Sequence, residues 1–163
     1  MQTISPCLWF DGAAEEAARF YTSLFRNSRL RKVVPWGPNG PGPEGTAMMV
    51  DFELMGLGFL ALNGGPQFQL TPAIAFAVPC ADQAEIDRYW DALLEGGTAM
   101  RCGWITDRFG VTWQIIPQDM ARLADPSDPA RAARVSAAMM QMVKMDLAGL
   151  ERAYAGAPQG DAA

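Results

Sequence analysis

The sequence predicts an α+β protein built from two tandem βαβββ modules and closed by a helical extension. Three observations carry this. A phrase is repeated: Glu16, Arg19, Phe20, Tyr21, Leu24 and Phe25 recur at the same spacing as Glu85, Arg88, Tyr89, Trp90, Leu93 and Leu94. A hairpin segment is repeated as well, since Gly56-Leu57-Gly58-Phe59-Leu60-Ala61-Leu62 is echoed by Gly110-Val111-Thr112-Trp113-Gln114-Ile115-Ile116. Each helical phrase follows one strand-like segment and precedes three, and a repeated unit constrains architecture more than local propensity does.

In the first half, Ile4 to Phe10 is a short apolar run bounded by Asp11-Gly12 and reads as a strand. The helix after it carries Glu15 and Glu16 in its first turn, where the helix dipole favours acids. Its expected apolar stripe is Ala17, Phe20, Tyr21 and Leu24. A strand is expected from Leu30 to Val34. The glycine- and proline-rich run from Pro35 to Pro43 then excludes helix and central strand. It lacks the lysine and spacing of a phosphate loop, so it reads as a plain loop or a flap. Strands Met48–Leu54 and Leu57–Leu62 flank a turn at Met55-Gly56.

The second half follows the same order. Ala73 to Val78 reads as a strand. Asp82 with Glu85 three residues on forms a capping box before a helix whose stripe is Ile86, Tyr89, Trp90 and Leu93. Glu95-Gly96-Gly97 ends it. Short strands near 98–101 and 103–107 lead through Phe109-Gly110 to a last strand, Val111–Ile116. Beyond Pro117, Asp119 opens a short helical stretch. Asp128-Pro129 is a cap with proline at the first helical position, and that helix is expected to reach Lys144. Its stripe is Val135, Ala138, Met139, Met142 and Met145, read as core or dimer contact. Asp146 caps one more short helix. The expected division is 1–66 and 67–117 for the modules, 118–155 for the extension and 156–163 for a disordered tail.

Composition narrows the function. Of 163 residues, half are hydrophobic and 19% are charged, as in ordinary globular chains. A net charge of −5 with scattered Lys and Arg argues against a nucleic-acid surface. No apolar run is long enough to span a bilayer, and no signal-peptide pattern opens the chain. Cys7, Cys80 and Cys102 are odd in number and widely spaced, which reads as free thiols in a reducing compartment, the cytoplasm. The chain has no histidine, so neither a Ser-His-Asp nor a Cys-His pair can be assembled from it.

Several segments together resemble one protein family. They are Leu8-Trp9-Phe10-Asp11-Gly12 with Glu15-Glu16-Ala17, and Ala61-Leu62-Asn63-Gly64-Gly65-Pro66. Arg101-Cys102-Gly103-Trp104 follows, with Asp107-Arg108-Phe109-Gly110-Val111 and Trp113-Gln114. The Asp128-Pro129 helix with Gln141-Met142 and Lys144-Met145-Asp146 completes the set. This wording resembles the PhnB-like branch of the vicinal-oxygen-chelate (glyoxalase, bleomycin resistance and extradiol dioxygenase) superfamily, often labelled 3-demethylubiquinone-9 3-methyltransferase. The resemblance implies a glyoxalase-like fold with a concave cup. It also implies divalent-metal ligands on the first and last strand of each module. Those positions here offer Leu60 and Gln114 on the last strands, Ser5, Pro6 and Cys7 on one first strand, and Ala75 and Phe76 on the other. Only Gln114 resembles a ligand, and a neutral amide alone holds a divalent ion poorly. Relatives commonly carry His after the Asn-Gly-Gly-Pro turn, where this chain has Gln67. The expectation is therefore no metal and no cofactor.

The candidate ligand-binding residues are Trp9, Leu60, Gln67, Cys102, Trp104, Thr112 and Gln114. Each has a plainer reading. Cys102 beside Arg101 is an activated thiol or a small residue at a strand start. Gln114, sharing a strand face with Thr112 and Ile116, lines the cup or bonds to Ser5 or Asn63. Trp9 and Trp104 wall an aromatic pocket or pack as core, while strand parity places Trp113 under the helices. Asp107-Arg108 near the turn is a specificity clamp or, more plainly, a solvated hairpin end worth under about 1 kcal/mol. Asp51 and Glu53 read as a half-exposed strand and become general-base candidates only if one points into the cup.

Two functions follow: a metal-independent protein binding a small organic molecule in the cup, or a superfamily lyase, isomerase or dioxygenase. Methyl transfer is disfavoured, because no glycine-rich nucleotide turn follows a strand. Modules of this kind bury their sheets by pairing, so a homodimer is expected, with neither nucleic acid nor membrane as partner.

Overall fold

The computed structural model describes residues 4–157. The chain divides between Leu70 and Thr71 into two compact units, each holding one four-stranded mixed sheet.

The first unit contains β1 (Cys7–Phe10), α1 (Ala14–Leu24), β2 (Arg29–Pro35), β3 (Ala47–Leu54) and β4 (Leu57–Asn63). The strand order is β1-β4-β3-β2, with β1 parallel to β4 and the other pairs antiparallel. β1 starts at Cys7, later than Ile4, because Pro6 has no N–H for the ladder and enters only through its carbonyl, which accepts from Leu60 N at 2.9 Å. Met55 and Gly56 both have positive φ, at 48° and 88°. That is the tight two-residue hairpin geometry whose twist matches the strands, and Ser28 Oγ takes up the Met55 N–H at 3.1 Å.

Alternation sends Leu8, Phe10, Val50, Phe52, Phe59 and Ala61 to the buried, helix-covered face. The expected stripe of α1 is rotated. Ala14, Ala17, Ala18 and Tyr21 are buried, followed by Phe25, while Phe20 and Leu24 are only half-buried. The sheet beneath is already filled by large rings, with Phe52 stacked on Phe59 at 5.3 Å and Tyr21 against Phe52 at 6.4 Å. Alanines are what fit between that layer and the helix backbone. On β3 the half-exposed reading is corrected at Glu53, which is buried and paired with Arg29 and Arg31, while half-buried Asp51 lies 3.6 Å from Arg31.

The second unit repeats the topology with β5 (Phe76–Cys80), α2 (Gln83–Leu94), β6 (Thr98–Ala99), β7 (Trp104–Thr106) and β8 (Thr112–Pro117), in the order β5-β8-β7-β6. β5 begins at Phe76 because residues 71–74 form a turn, with Ile74 N bonded to Thr71 O. It runs on through Pro79, which an edge strand tolerates. The capping box is present, with Glu85 N donating to Asp82 Oδ1 and Ala81 N to Glu85 Oε2, both at 2.8 Å. Ile86, Tyr89, Trp90 and Leu93 are all buried, as their spacing requires.

Asp107 corrects the solvated-hairpin reading. It is 5% exposed, its Oδ1 accepts from Phe109 N and Val111 N, and its Oδ2 accepts from the buried Trp113 Nε1 at 2.8 Å. The carboxylate holds the β7–β8 turn and positions the core indole together.

The extension comprises α3 (Met120–Leu123), α4 (Pro129–Gln141) and α5 (Leu147–Ala155). Asp128 caps α4 through Arg131 N. α4 ends at Gln141, short of Lys144, because the Met142 and Val143 carbonyls turn outward to accept from Cys102 N and Gly103 N, each at 2.9 Å. Of the methionine stripe, Met145 is buried, while Met139 and Met142 are half-buried. α5 has no side-chain cap from Asp146. Its first amide, Leu147 N, is taken by Gln83 Oε1 at 2.9 Å, while Gln83 Nε2 reaches Met145 O and Asp87 Oδ1. Lys144 Nζ spans Asp87 and Asp91. Gly156 ends α5 in a left-handed conformation, and the rest of the tail expectation, 158–163, lies outside the described residues.

Replacing Asp107 by Ala orphans three donors and is expected to lower unfolding free energy by about 3 kcal/mol in urea titrations, with Asp107→Asn losing less because one acceptor oxygen survives. The Gln83 hydrogen bond, then Lys144, holds the Asp87 carboxyl below its ordinary pKa. Its contribution to stability is complete above the ordinary aspartate range and lost as pH falls through the depressed value. Melting temperatures of wild type and Asp87→Asn should therefore differ at neutral pH and converge in acid.

Candidate functional site

A cavity of about 690 Å³ opens within the first unit. It forms where β1 runs into α1, where β4 ends, and where the loop between β2 and β3 turns back. Each wall has a local cause. Asn63, the last residue of β4, forms part of the floor: its Oδ1 accepts from Ala14 N and its Nδ2 donates to Ala47 O, both at 2.9 Å. α1 has no side-chain cap of its own, so this amide serves as its cap from a distant strand.

The loop wall is ordered around Trp36. Trp36 N donates to Thr46 O, Gly45 N to Trp36 O, and Gly40 N to Gly37 O, at 2.8 to 3.1 Å. A Cβ at Gly42 would overlap the Trp36 ring, and one at Gly40 would come within 2.6 Å of it. The run expected to be a plain loop or flap is a glycine sleeve fitted to one indole. A second indole backs the opposite wall. Trp9 Nε1 donates to Gly65 O at 2.8 Å, and a Cβ at Gly64 would overlap the Trp9 ring. Phe68 meets Trp9 edge-on at 5.0 Å.

The chemistry of the lining is acidic and amide-rich. Asp11 and Glu15 contribute carboxylates, Gln67 an amide, and no lysine or arginine takes part. Glu15 Oε1 accepts from Arg19 Nε and Nη2 at 3.0 and 2.6 Å.

The seven candidates are distributed as follows. Gln67 lines the cavity. Trp9 stands behind its glycine wall. Trp9 and Leu60 lie on the face of the first sheet opposite the buried residues Leu8, Phe10, Phe59 and Ala61. In the second unit Trp104 is the cross-strand partner of Gln114, with Thr106 and Thr112 hydroxyls 3.0 Å apart on the next pair. Cys102 belongs to the joint with the extension. It has positive φ (61°), and its Sγ lies near Met139 O and Met140 Sδ, at 3.7 and 3.6 Å.

A divalent ion of the kind the resemblance implies needs three or more ligating side chains in one place. Among the described residues no three His, Cys, Asp or Glu converge so. Cys7 is partnered in register by Leu60, and Gln114 by Ala77 and Trp104. These residues do not fit the ion. Sequence reasoning missed Trp36 and Asn63 as cavity walls. The available signal was a tryptophan inside a run of glycine and proline, and an asparagine ending a strand.

Replacing Asn63 by Ala unpairs an amide and a carbonyl and is expected to cost about 2 kcal/mol by chemical denaturation, with Asn63→Asp recovering part of that through its acceptor oxygen. Gly42→Ala is expected to push Trp36 out of its sleeve and shift the tryptophan emission to the red.

Residues 2–116 match the model of the family described as 3-demethylubiquinone-9 3-methyltransferase. Among solved structures, the chain is similar to a putative 3-demethylubiquinone-9 3-methyltransferase, PhnB protein, from Bacillus cereus. Identity is 35%, over 71% of this chain and 99% of that one, with a TM-score of 0.67. It is similar to the protein PA1353 from Pseudomonas aeruginosa at 24% identity, over 72% of this chain and 98% of that one, with a TM-score of 0.60. It also shares its fold with the fosfomycin resistance protein FosX from Listeria monocytogenes, solved with Mn(II) and sulfate. There identity is 12%, over 78% of this chain and 98% of that one, with a TM-score of 0.51. No curated protein matches the chain.

Proposed function

This chain belongs to the 3-demethylubiquinone-9 3-methyltransferase family, the PhnB-like branch of the vicinal-oxygen-chelate superfamily, and we propose that it acts as a metal-independent binding protein for a small organic molecule. The observation that carries this is the donor set. At the strand positions where the resemblance implies metal ligands, a chain without histidine presents Ser5, Pro6 and Cys7, Leu60, Ala75 and Phe76, and one glutamine, Gln114. What it does present is a cavity of about 690 Å³, within the range that accommodates small organic ligands. We place binding there. The sheet face expected to form the cup adjoins it through Trp9, whose ring supports the Gly64-Gly65 wall.

Binding is favoured over catalysis because neither acid expected from the sequence as a general base lines the cavity. Asp51 and Glu53, the general-base candidates, are tied to Arg29 and Arg31. Methyl transfer is part of the family's description, yet the turn after β1 is Asp11-Gly12-Ala13, without the glycine spacing of a nucleotide-binding turn. The proposal also includes self-association as a homodimer and a reducing, cytoplasmic setting. Cys7, Cys80 and Cys102 are free thiols, and no helix among the described residues is long and apolar enough to cross a membrane.

Elemental analysis of protein purified without chelator should find no divalent metal at stoichiometric level, and EDTA should leave the melting temperature unchanged. One tightly held ion per chain would overturn the proposal. Sedimentation at micromolar concentration should show a dimer, and a monomer alone would remove that part of it.

A further inference from the structure

We infer that the first-unit cavity takes a small organic cation, an ammonium carried on a flat apolar body. This rests on the proposal that the cavity is the binding site and adds the charge of its occupant. The first argument is electrostatic. None of the thirteen lining residues is lysine or arginine, while Asp11 and Glu15 both carry carboxylates. Asp11 makes no hydrogen bond or ion pair among the described residues, and Arg19 reaches only Oε1 of Glu15. A cation entering here gains the Asp11 carboxylate and the second oxygen of the paired Glu15, and an anion meets Asp11 as a like charge.

The second argument is the aromatic wall. Tryptophan attracts a cation over its face more strongly than the other aromatic side chains. Trp36 lines the cavity while Gly40 and Gly42 lie against its ring too closely for any side chain between them. That packing keeps the indole from turning away and leaves it as a fixed surface for a flat ligand.

A third argument removes the alternative. An anion needs donors, and two of the side-chain donors of the lining are committed. Asn63 Nδ2 bonds to Ala47 O and the Thr46 hydroxyl to Pro43 O, at 2.9 and 2.6 Å. Gln67 is the side-chain amide left to meet a ligand. The uncommitted side-chain groups of the lining are thus two carboxylates against the Gln67 amide and the Trp36 N–H, a balance that suits an ammonium and its N–H groups.

The test uses three indoles of one shape and different charge: tryptamine (cation), tryptophol (neutral) and indole-3-propionate (anion), titrated calorimetrically into the full chain. Tryptamine should bind about tenfold more tightly than tryptophol, and indole-3-propionate more weakly than either. Asp11→Asn with Glu15→Gln should abolish the tryptamine advantage and leave tryptophol within about twofold, since a neutral ligand gains little from the acids. Raising salt should weaken tryptamine and not tryptophol. Trp36→Leu should weaken both, and the acid-pair variant, which leaves the Trp36 packing intact, reports on charge even if the tryptophan variant loses its fold. Equal affinity for tryptamine and tryptophol, or tightest binding of the anion, overturns the cation inference and leaves the binding proposal standing. Absence of heat with all three overturns the inference together with the placement of binding in this cavity.

Discussion

One side-chain amide joins the parts of the first unit. Asn63 ends β4, caps α1 through Ala14 N and closes on β3 through Ala47 O. Asn63 and Ala47 both line the cavity, which therefore lies at this junction. Helix α1 begins without a capping side chain of its own, so its starting point is set by a residue nearly fifty positions away in sequence. The acids Asp11 and Glu15 flank that starting point. Their placement in the cavity is thus a consequence of the Asn63 bond more than of local sequence around them.

The two units show how a repeat can be conserved in topology and rebuilt in chemistry. Both run strand, helix, three strands, in the same sheet order. Yet α2 is capped locally by Asp82 while α1 borrows its cap. α2 buries Ile86, Tyr89, Trp90 and Leu93, whereas α1 buries a run of alanines with Tyr21. The rings of Phe52 and Phe59 leave room for alanines on α1, whereas α2 brings large side chains over a sheet that itself carries Trp113.

The architecture was legible because it rests on periodicity and turn chemistry, which are local. The doubled Glu-Arg-aromatic phrase, the Asp82 capping box and the Asp128-Pro129 start all act within a few residues. Errors arose where a distant group intervened. α4 stops early because Cys102 and Gly103 claim its neighbouring carbonyls. Asp107 looked solvated because nothing local reveals that Trp113 folds back onto it. The candidate site was legible in the same partial way. Gln67 came from wording around a turn and does line the cavity. Trp36 and Asn63 matter through glycine contacts and bridging bonds that no spacing pattern encodes.

The joint between Arg101–Trp104 and the extension has a consequence for how the chain is assembled. The family model stops at residue 116, before α3 begins, yet two amides inside the family's own segment, Cys102 N and Gly103 N, bond to carbonyls beyond it. Gln83, also inside, supplies the first amide acceptor of α5. The helices of the extension therefore dock on donors and acceptors that lie within the segment matched by the family model. They have little to dock against until β7, β8 and α2 are in place, which makes these helices a latch on a finished module.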